Sequence, residues 1–268
     1  MTLQAEQKKR GFQSRWTKPA IAVVGVVLMT IASAAPGLGG VEIDLGALWR
    51  NWRNGYDKLL QMLQPNVEFI PRTLGPMLEA LQMAFVGAVI SALISLPLTL
   101  WAASASNPNA VGRALVRGII NVIRAVPDLV YATVLVAMVG VGALPGVMTL
   151  VLFNLGIVVK LVSESIDSTD HRYMEAGRAA GGTQFQINRD MTLPQVLPLF
   201  MNQWLYTLEL NVRISAILGI VGAGGIGRLL DERRSFYAYS DVSVIILEIL
   251  VVVLAIEVLS NYLRRRLQ

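Results

Sequence analysis

Residues 173–194 read YMEAGRAAGGTQFQINRDMTLP, from Tyr173 to Pro194, a polar stretch set between two long apolar runs. Tyr173 to Ala180 are good helix formers, Gly181-Gly182 breaks them, and Phe185 with Ile187 begins a second short helix before Leu193-Pro194 returns to apolar sequence. The spacing predicts a helix-turn-helix inside the polar segment 164–194. Its setting decides what that segment is for, because the sequence on both sides is too apolar for a water-soluble domain.

Of the 268 residues, 54% are hydrophobic and 15% charged, where a soluble domain carries about a quarter charged. A bilayer core needs about 20 mostly apolar residues per helix. Six stretches qualify: 19–35, 76–103 (with Pro97 inside), 118–144, 145–163, 196–221 and 242–263, the third and fourth joined by a tight turn at Ala143-Leu144-Pro145-Gly146. The expected fold class is all-α, a polytopic membrane protein of about six transmembrane helices. Of the 23 Lys and Arg, 13 fall in the N-terminus, the second-to-third loop, the fourth-to-fifth loop and the tail, seven fall in the opposite loops, and three lie within spans. The positive-inside rule then places both termini, and the 164–194 segment, in the cytoplasm. The net charge of +5 is thereby an orientation signal. No basic patch interleaved with aromatics is present, so no nucleic-acid partner is expected.

Residues 1–70 read as one transmembrane helix plus an extracytoplasmic segment, and 71–268 as the core. Ala32-Ser33-Ala34 before Ala35 also has the A-x-A form of a signal-peptide cleavage site, a rival to the retained first helix that is expected here. Leu45, Leu48, Trp49, Trp52, Tyr56, Leu59, Leu60 and Leu63 recur at spacings of three and four. They form one apolar, aromatic face, suited either to lying in the outer leaflet or to packing on the protein's own outer surface.

Glu175, Ala176, Gly177, three residues, Gly181, nine residues, then Met191, Thr192, Leu193, Pro194 resembles the EAA motif of bacterial ABC importer permeases, which runs E-A-A, three residues, G, nine residues, I-x-L-P. Gly177 stands where the motif has its second Ala, and Met191 where it has Ile. The resemblance implies a type I importer permease: five core helices, here with an added N-terminal one, and a short cytoplasmic coupling helix seated in a separate ATP-hydrolysing subunit. Glu175, Ala176 and Gly181 would then form the docking surface, with Gly177, Leu193 and Pro194 completing the coupling motif. The implied partners are a second copy of the chain, two ATP-binding cassette ATPase subunits and an extracytoplasmic phosphonate-binding protein, in the inner membrane of a bacterium. This chain would bind no cofactor, ATP and Mg belonging to the ATPase. No G-x-x-x-x-G-K-[ST] occurs in it.

Gly222, Gly224 and Gly227 satisfy G-x-G-x-x-G, but no alternating strands and helices surround them, so a nucleotide fingerprint is the weaker reading. With Gly225 they are expected to make a compact turn or gate at the outer end of the fifth span. The absence of Cys removes thiol chemistry, and His171, between Asp170 and Arg172, reads as a surface residue. Charges inside spans face a bundle interior, an aqueous path or a partner. Arg124 with Asp128, Lys160 with Glu164 and Glu209 with Arg213 are each spaced i to i+4, on one helix face, where ion pairs can compensate them. The alternative is that Arg124, Lys160 and Arg213 line an anion path together with Asp128, Glu209 and Asn211. The segments Arg124 to Val130 (RAVPDLV) and Glu209 to Ala216 (ELNVRISA), the latter running into the glycine turn, resemble the permease subunit of phosphonate importers, which implies a phosphonate, phosphite or related oxyanion as substrate. The glycine turn is shared with methionine permeases, so a methionine or other amino-acid permease is the alternative within the same class, and an ion-coupled secondary transporter using the buried pairs is the alternative outside it. Pro127 is expected to leave Asp128 in register while altering the local helix.

Overall fold

The computed structural model describes residues 19–30, 32–33 and 45–267, and the chain divides into two compact units, 1–58 and 59–268. In the first unit, α1 (Pro19–Thr30) is apolar, and its described part rises about 18 Å. The flanking residues of that expected span, and part of the cleavage-site reading, lie outside the described residues. The amphipathic stretch forms α2 (Leu45–Arg50) and α3 (Trp52–Met62). Trp49, Trp52, Tyr56, Leu59, Leu60 and Leu63 are all exposed; rings and leucines without protein cover suit the membrane–water interface.

The second unit is built on three long helices, α4 (Ile70–Ala102), α7 (Ala143–Ser168) and α10 (Leu193–Leu218). Among lipid tails apolar burial gives no net drive, so helices associate through close packing of small residues and a few polar contacts. The buried face of α4 is Ala80, Ala84, Gly87, Ala88, Ser91 and Ser95, and α7 comes so near that a Cβ on Gly87 would stand 2.9 Å from Leu150 Cβ. The Trp204 indole donates to the Ala88 carbonyl at 3.0 Å, and the Asn154 amide to Ser91 Oγ at 3.2 Å. Packed around these are α5 (Ala110–Ala125), α6 (Asp128–Val139), α11 (Gly225–Ser235) and α12 (Tyr239–Leu267). Met83, Ala132, Leu150, Ile214, Leu218 and Ala223 form a buried cluster that joins α4, α6, α7 and α10.

Among the described residues, four helices are long and apolar enough to cross a bilayer, and α5 with α6 makes a fifth span if the pair is taken together. That pair corrects the third expected span, because the two helices meet at 89°. Pro127 has no N–H to give and pushes its predecessor out of the α region, so Val126 takes an extended ψ of 128°. Asp128 thereby leaves the register that would have set it over Arg124. The turn expected at 143–146 is also displaced. It lies at Gly140 and Gly142, both at positive φ, and Ala143 to Gly146 are already the first turn of α7. Helix α11, between the glycine turn and the last span, was not anticipated.

Candidate functional site

The polar segment folds as the expected helix-turn-helix, α8 (Arg172–Ala179) and α9 (Gln184–Ile187), followed by a π-helical turn, Asn188–Thr192, that runs into Leu193 and the Pro194 start of α10. At the end of α8, Gly181 N donates to Arg178 O and Gly182 N to Gly177 O, both at 3.0 Å. That reversal sets Gly181 at φ +82°, where glycine alone is unstrained. Thr183 then caps α9 in a reciprocal box, its backbone N donating to Gln186 Oε1 at 2.9 Å while its hydroxyl accepts from Gln186 N at 3.4 Å.

The loop has an inner and an outer face. Met174 and Ile187 are buried in one cluster with Ala103, Val158, Val162, Ile166, Val196 and Phe200, which seals the loop onto the ends of α7 and α10. Glu175, Ala176 and Gly181 are exposed together with Tyr173 and Phe185. Gly177 faces inward, and a Cβ there would come 3.2 Å from Ile187 Cγ1. Glycine at this motif position therefore lets α8 and α9 close on each other. Gly177, Ala180, Gly181, Gly182, Gln186 and Met191 border an open groove of about 340 Å³. At the entry to α8, Arg172 binds the Asp170 carboxyl and holds it below the usual carboxylate range. His171 is half-buried there and its Nδ1 has no partner.

Two of the three intramembrane pairs form. Lys160 pairs with Glu164, and Arg213 Nη2 lies 2.5 Å from Glu209 Oε1. The other Glu209 oxygen stands 3.7 Å from Arg264 Nη2, so a tail residue counted only as an orientation signal shares this buried acid. A contact between residues so far apart in sequence leaves no spacing signature. Asn211 is fully buried and donates to the Ala84 carbonyl at 3.0 Å. Glu248 takes a hydrogen bond from the Thr73 hydroxyl at 2.7 Å.

The third pair does not form. Among the described residues Arg124 has no acidic partner; it borders a cavity of about 270 Å³ at the α5–α6 elbow, with Val126, Asp128, Tyr131, Phe153 and Gly156. The Tyr131 hydroxyl donates to the Ile123 carbonyl at 2.5 Å and braces the elbow, while the Arg124 stem lies across Gly156, whose Cβ would meet Arg124 Cγ at 2.8 Å. At the opposite, C-terminal end of α6, Gly222 (φ +88°), Gly224 (φ +82°) and Gly225 (φ +68°) make the compact turn after α10. Gly222 O accepts from Gly142 N at 3.0 Å, tying this turn to the one between α6 and α7. Gly227 sits against Ala216.

A bundle of apolar helices with charges along its long spans and a helix-turn-helix docked at one end is the architecture of a polytopic membrane protein. Residues 95–268 match the family of binding-protein-dependent transport system inner membrane components, and the chain belongs to it. The phosphite transport system permease protein PtxC of Stutzerimonas stutzeri is 34% identical over 269 residues, covering 98% of this chain and 96% of that one. The phosphate-import permease protein PhnE of Mycolicibacterium smegmatis is 34% identical over 217 residues, 79% of this chain and 41% of that longer one. Among solved structures, the inward-facing methionine ABC transporter MetNI shares the fold, with a TM-score of 0.68 at 22% identity over 76% of this chain and 99% of that one. The fold is that of type I ABC importer permeases, and the chain is a multi-pass inner-membrane translocation subunit of an ABC importer.

Proposed function

We propose that two copies of this chain form the translocation path of an importer for phosphite- or phosphonate-like oxyanions. What carries the substrate reading is the 34% identity to a phosphite permease along nearly the whole chain. Both termini are cytoplasmic in this reading. The outer face of α8 and Gly181, exposed at Glu175 and Ala176, seats two ATPase subunits that hold ATP and Mg, while this chain holds no cofactor. Leu193 and Pro194 fix the start of α10 behind that face. A phosphonate-binding protein delivers substrate to the opposite side, where Gly222, Gly224, Gly225 and Gly227 form the turn of the gate.

Arg124, Asp128, Lys160, Glu209, Asn211 and Arg213 are the candidate path residues, and Arg124 leads them because it alone among their bases lacks an acid. Unpaired charge at membrane depth is costly unless it faces an aqueous route or a ligand. Arg124→Ala is expected to lower uptake by about tenfold or more, the loss of one charge-assisted contact, while Arg72→Ala, an exposed base in the first turn of α4, leaves uptake unchanged. Equal rates in the two variants would remove Arg124 from the path. The proposal as a whole is tested by reconstitution with the ATPase and binding protein. Phosphite or methylphosphonate should stimulate ATP hydrolysis and methionine should not; stimulation by methionine alone, or uptake without any ATPase, would overturn it.

A further inference from the structure

The connector between α4 and α5, residues 103–109, has most of its backbone groups engaged, and its partners beyond α4 and α5 come from two directions. From α7, the Asp167 carboxylate accepts from Ser104 N at 2.6 Å, Ser104 Oγ at 2.8 Å and Ala105 N at 3.2 Å. From the helix-turn-helix, Arg178 Nη2 donates to Ala105 O at 3.2 Å, and Gln184 Nε2 and Asn188 Nδ2 both donate to Ser106 O at 2.9 Å. Gln184 Nε2 also lies 2.9 Å from Asn188 Oδ1, so the two amides act as one clamp. The end of α4 is closed by side chains: the Ser106 hydroxyl donates to Leu100 O, Asn107 Nδ2 to Trp101 O and Arg117 Nε to Ala102 O. Asn109 caps α5 through Val111 N and Gly112 N, and Arg117 on α5 returns to Asp167 at 2.6 Å.

A segment with its donors held by one element and its acceptors by another has no slack, and displacement of either holder moves it as a body. We propose that this connector is a second arm of the coupling device. When the ATPase moves α8 and α9, Gln184 and Asn188 pull the connector through the Ser106 carbonyl, and α5 moves with it, carrying the Arg124 elbow. Gln184 and Asn188 are positioning residues that face the connector and are half-buried, where Glu175 and Ala176 are exposed. The inference rests on the reading of α8 and α9 as the ATPase seat.

The test uses the complex with ATPase and binding protein in proteoliposomes. The chain has no cysteine, so spin labels on Val122→Cys in α5 and Leu259→Cys in α12 are its only reactive thiols. The double variant Gln184→Ala, Asn188→Ala, and the isosteric Gln184→Glu, Asn188→Asp, which cannot donate, should keep ATPase copurification and basal hydrolysis. Phosphite uptake per ATP should fall about tenfold or more, as expected for two lost hydrogen bonds in a mechanical link, and the nucleotide-dependent change in label distance should vanish. Arg189→Ala on the same loop should change nothing. An unaltered distance change and uptake ratio in the double variants would overturn the inference, as would loss of ATPase binding, which would make these amides part of the seat. If instead Gly181→Leu docks and transports normally, the ATPase-seat reading itself fails.

Discussion

Gly227→Ala is expected to leave little folded permease to purify. A Cβ at this position would stand 1.9 Å from the Ala216 carbonyl oxygen and 2.7 Å from its carbon. Gly219, in the turn that follows α10, meets the same crossing, its Cβ lying 2.5 Å from Gly227 Cα and from Arg228 N. These are backbone atoms, so no side chain can swing aside and α11 itself must lift from α10. That would open the buried cluster of Phe69, Met77, Ala80, Ala216, Ile226 and Ile245. Overpacking typically costs about 1–3 kcal/mol; with backbone on both sides the upper end or beyond is expected, a large part of a stability of about 5–15 kcal/mol. Purified yield and the melting transition followed by the five tryptophans measure it. Gly118→Ala is the control, since its Cβ meets nothing within 4 Å and a mid-helix Gly→Ala change gains about 0.5–1 kcal/mol. A Gly227→Ala protein melting with the parent would show that the α10–α11 crossing is looser than described.

Gly181→Leu is expected to do the opposite, sparing the fold and abolishing transport. Its Cβ meets nothing within 4 Å, so no core atom is disturbed, and the left-handed backbone costs a non-glycine residue about 1–2 kcal/mol. The leucine side chain would project from the outer face of the helix-turn-helix, where the ATPase is proposed to sit. Membrane insertion and melting should stay near those of the parent, while ATPase copurification, or uptake per ATP, falls by about tenfold or more through a blocked close contact. Gly181→Asn separates the causes, because Asn tolerates this conformation with a smaller side chain. Normal transport in Gly181→Leu would move the docking surface elsewhere.

The parts legible in the sequence were those written in local chemistry. Gly181-Gly182, Phe185 with Ile187, and Leu193-Pro194 determine the helix-turn-helix over a few residues each, and the structure keeps that order. Apolar length likewise marked the long helices. The elbow was misread because proline within an apolar run is compatible with a continuous span, as Pro97 in α4 and Pro198 in α10 demonstrate; at Pro127 the chain turns by 89° instead. Helix α11 escaped notice because Ile226, Leu229 and Leu230 are its only large apolar residues and the glycines before it suggest a turn. The meeting of Arg264 with Glu209 and the clamp on Ser106 join residues brought together only by folding.

Where the elbow interrupts the hydrogen-bond ladder, lipid supplies no donor or acceptor to replace it. Irregular backbone at membrane depth persists only against protein or in a water-filled space. The Val126–Pro127 break therefore makes the chain selective about its surroundings: hydrocarbon is a good solvent for the outer sides of α4 and α12 and a poor one for this corner. The bend that carries Arg124 thus sets a solvation demand of its own, which protein or water can meet and lipid cannot.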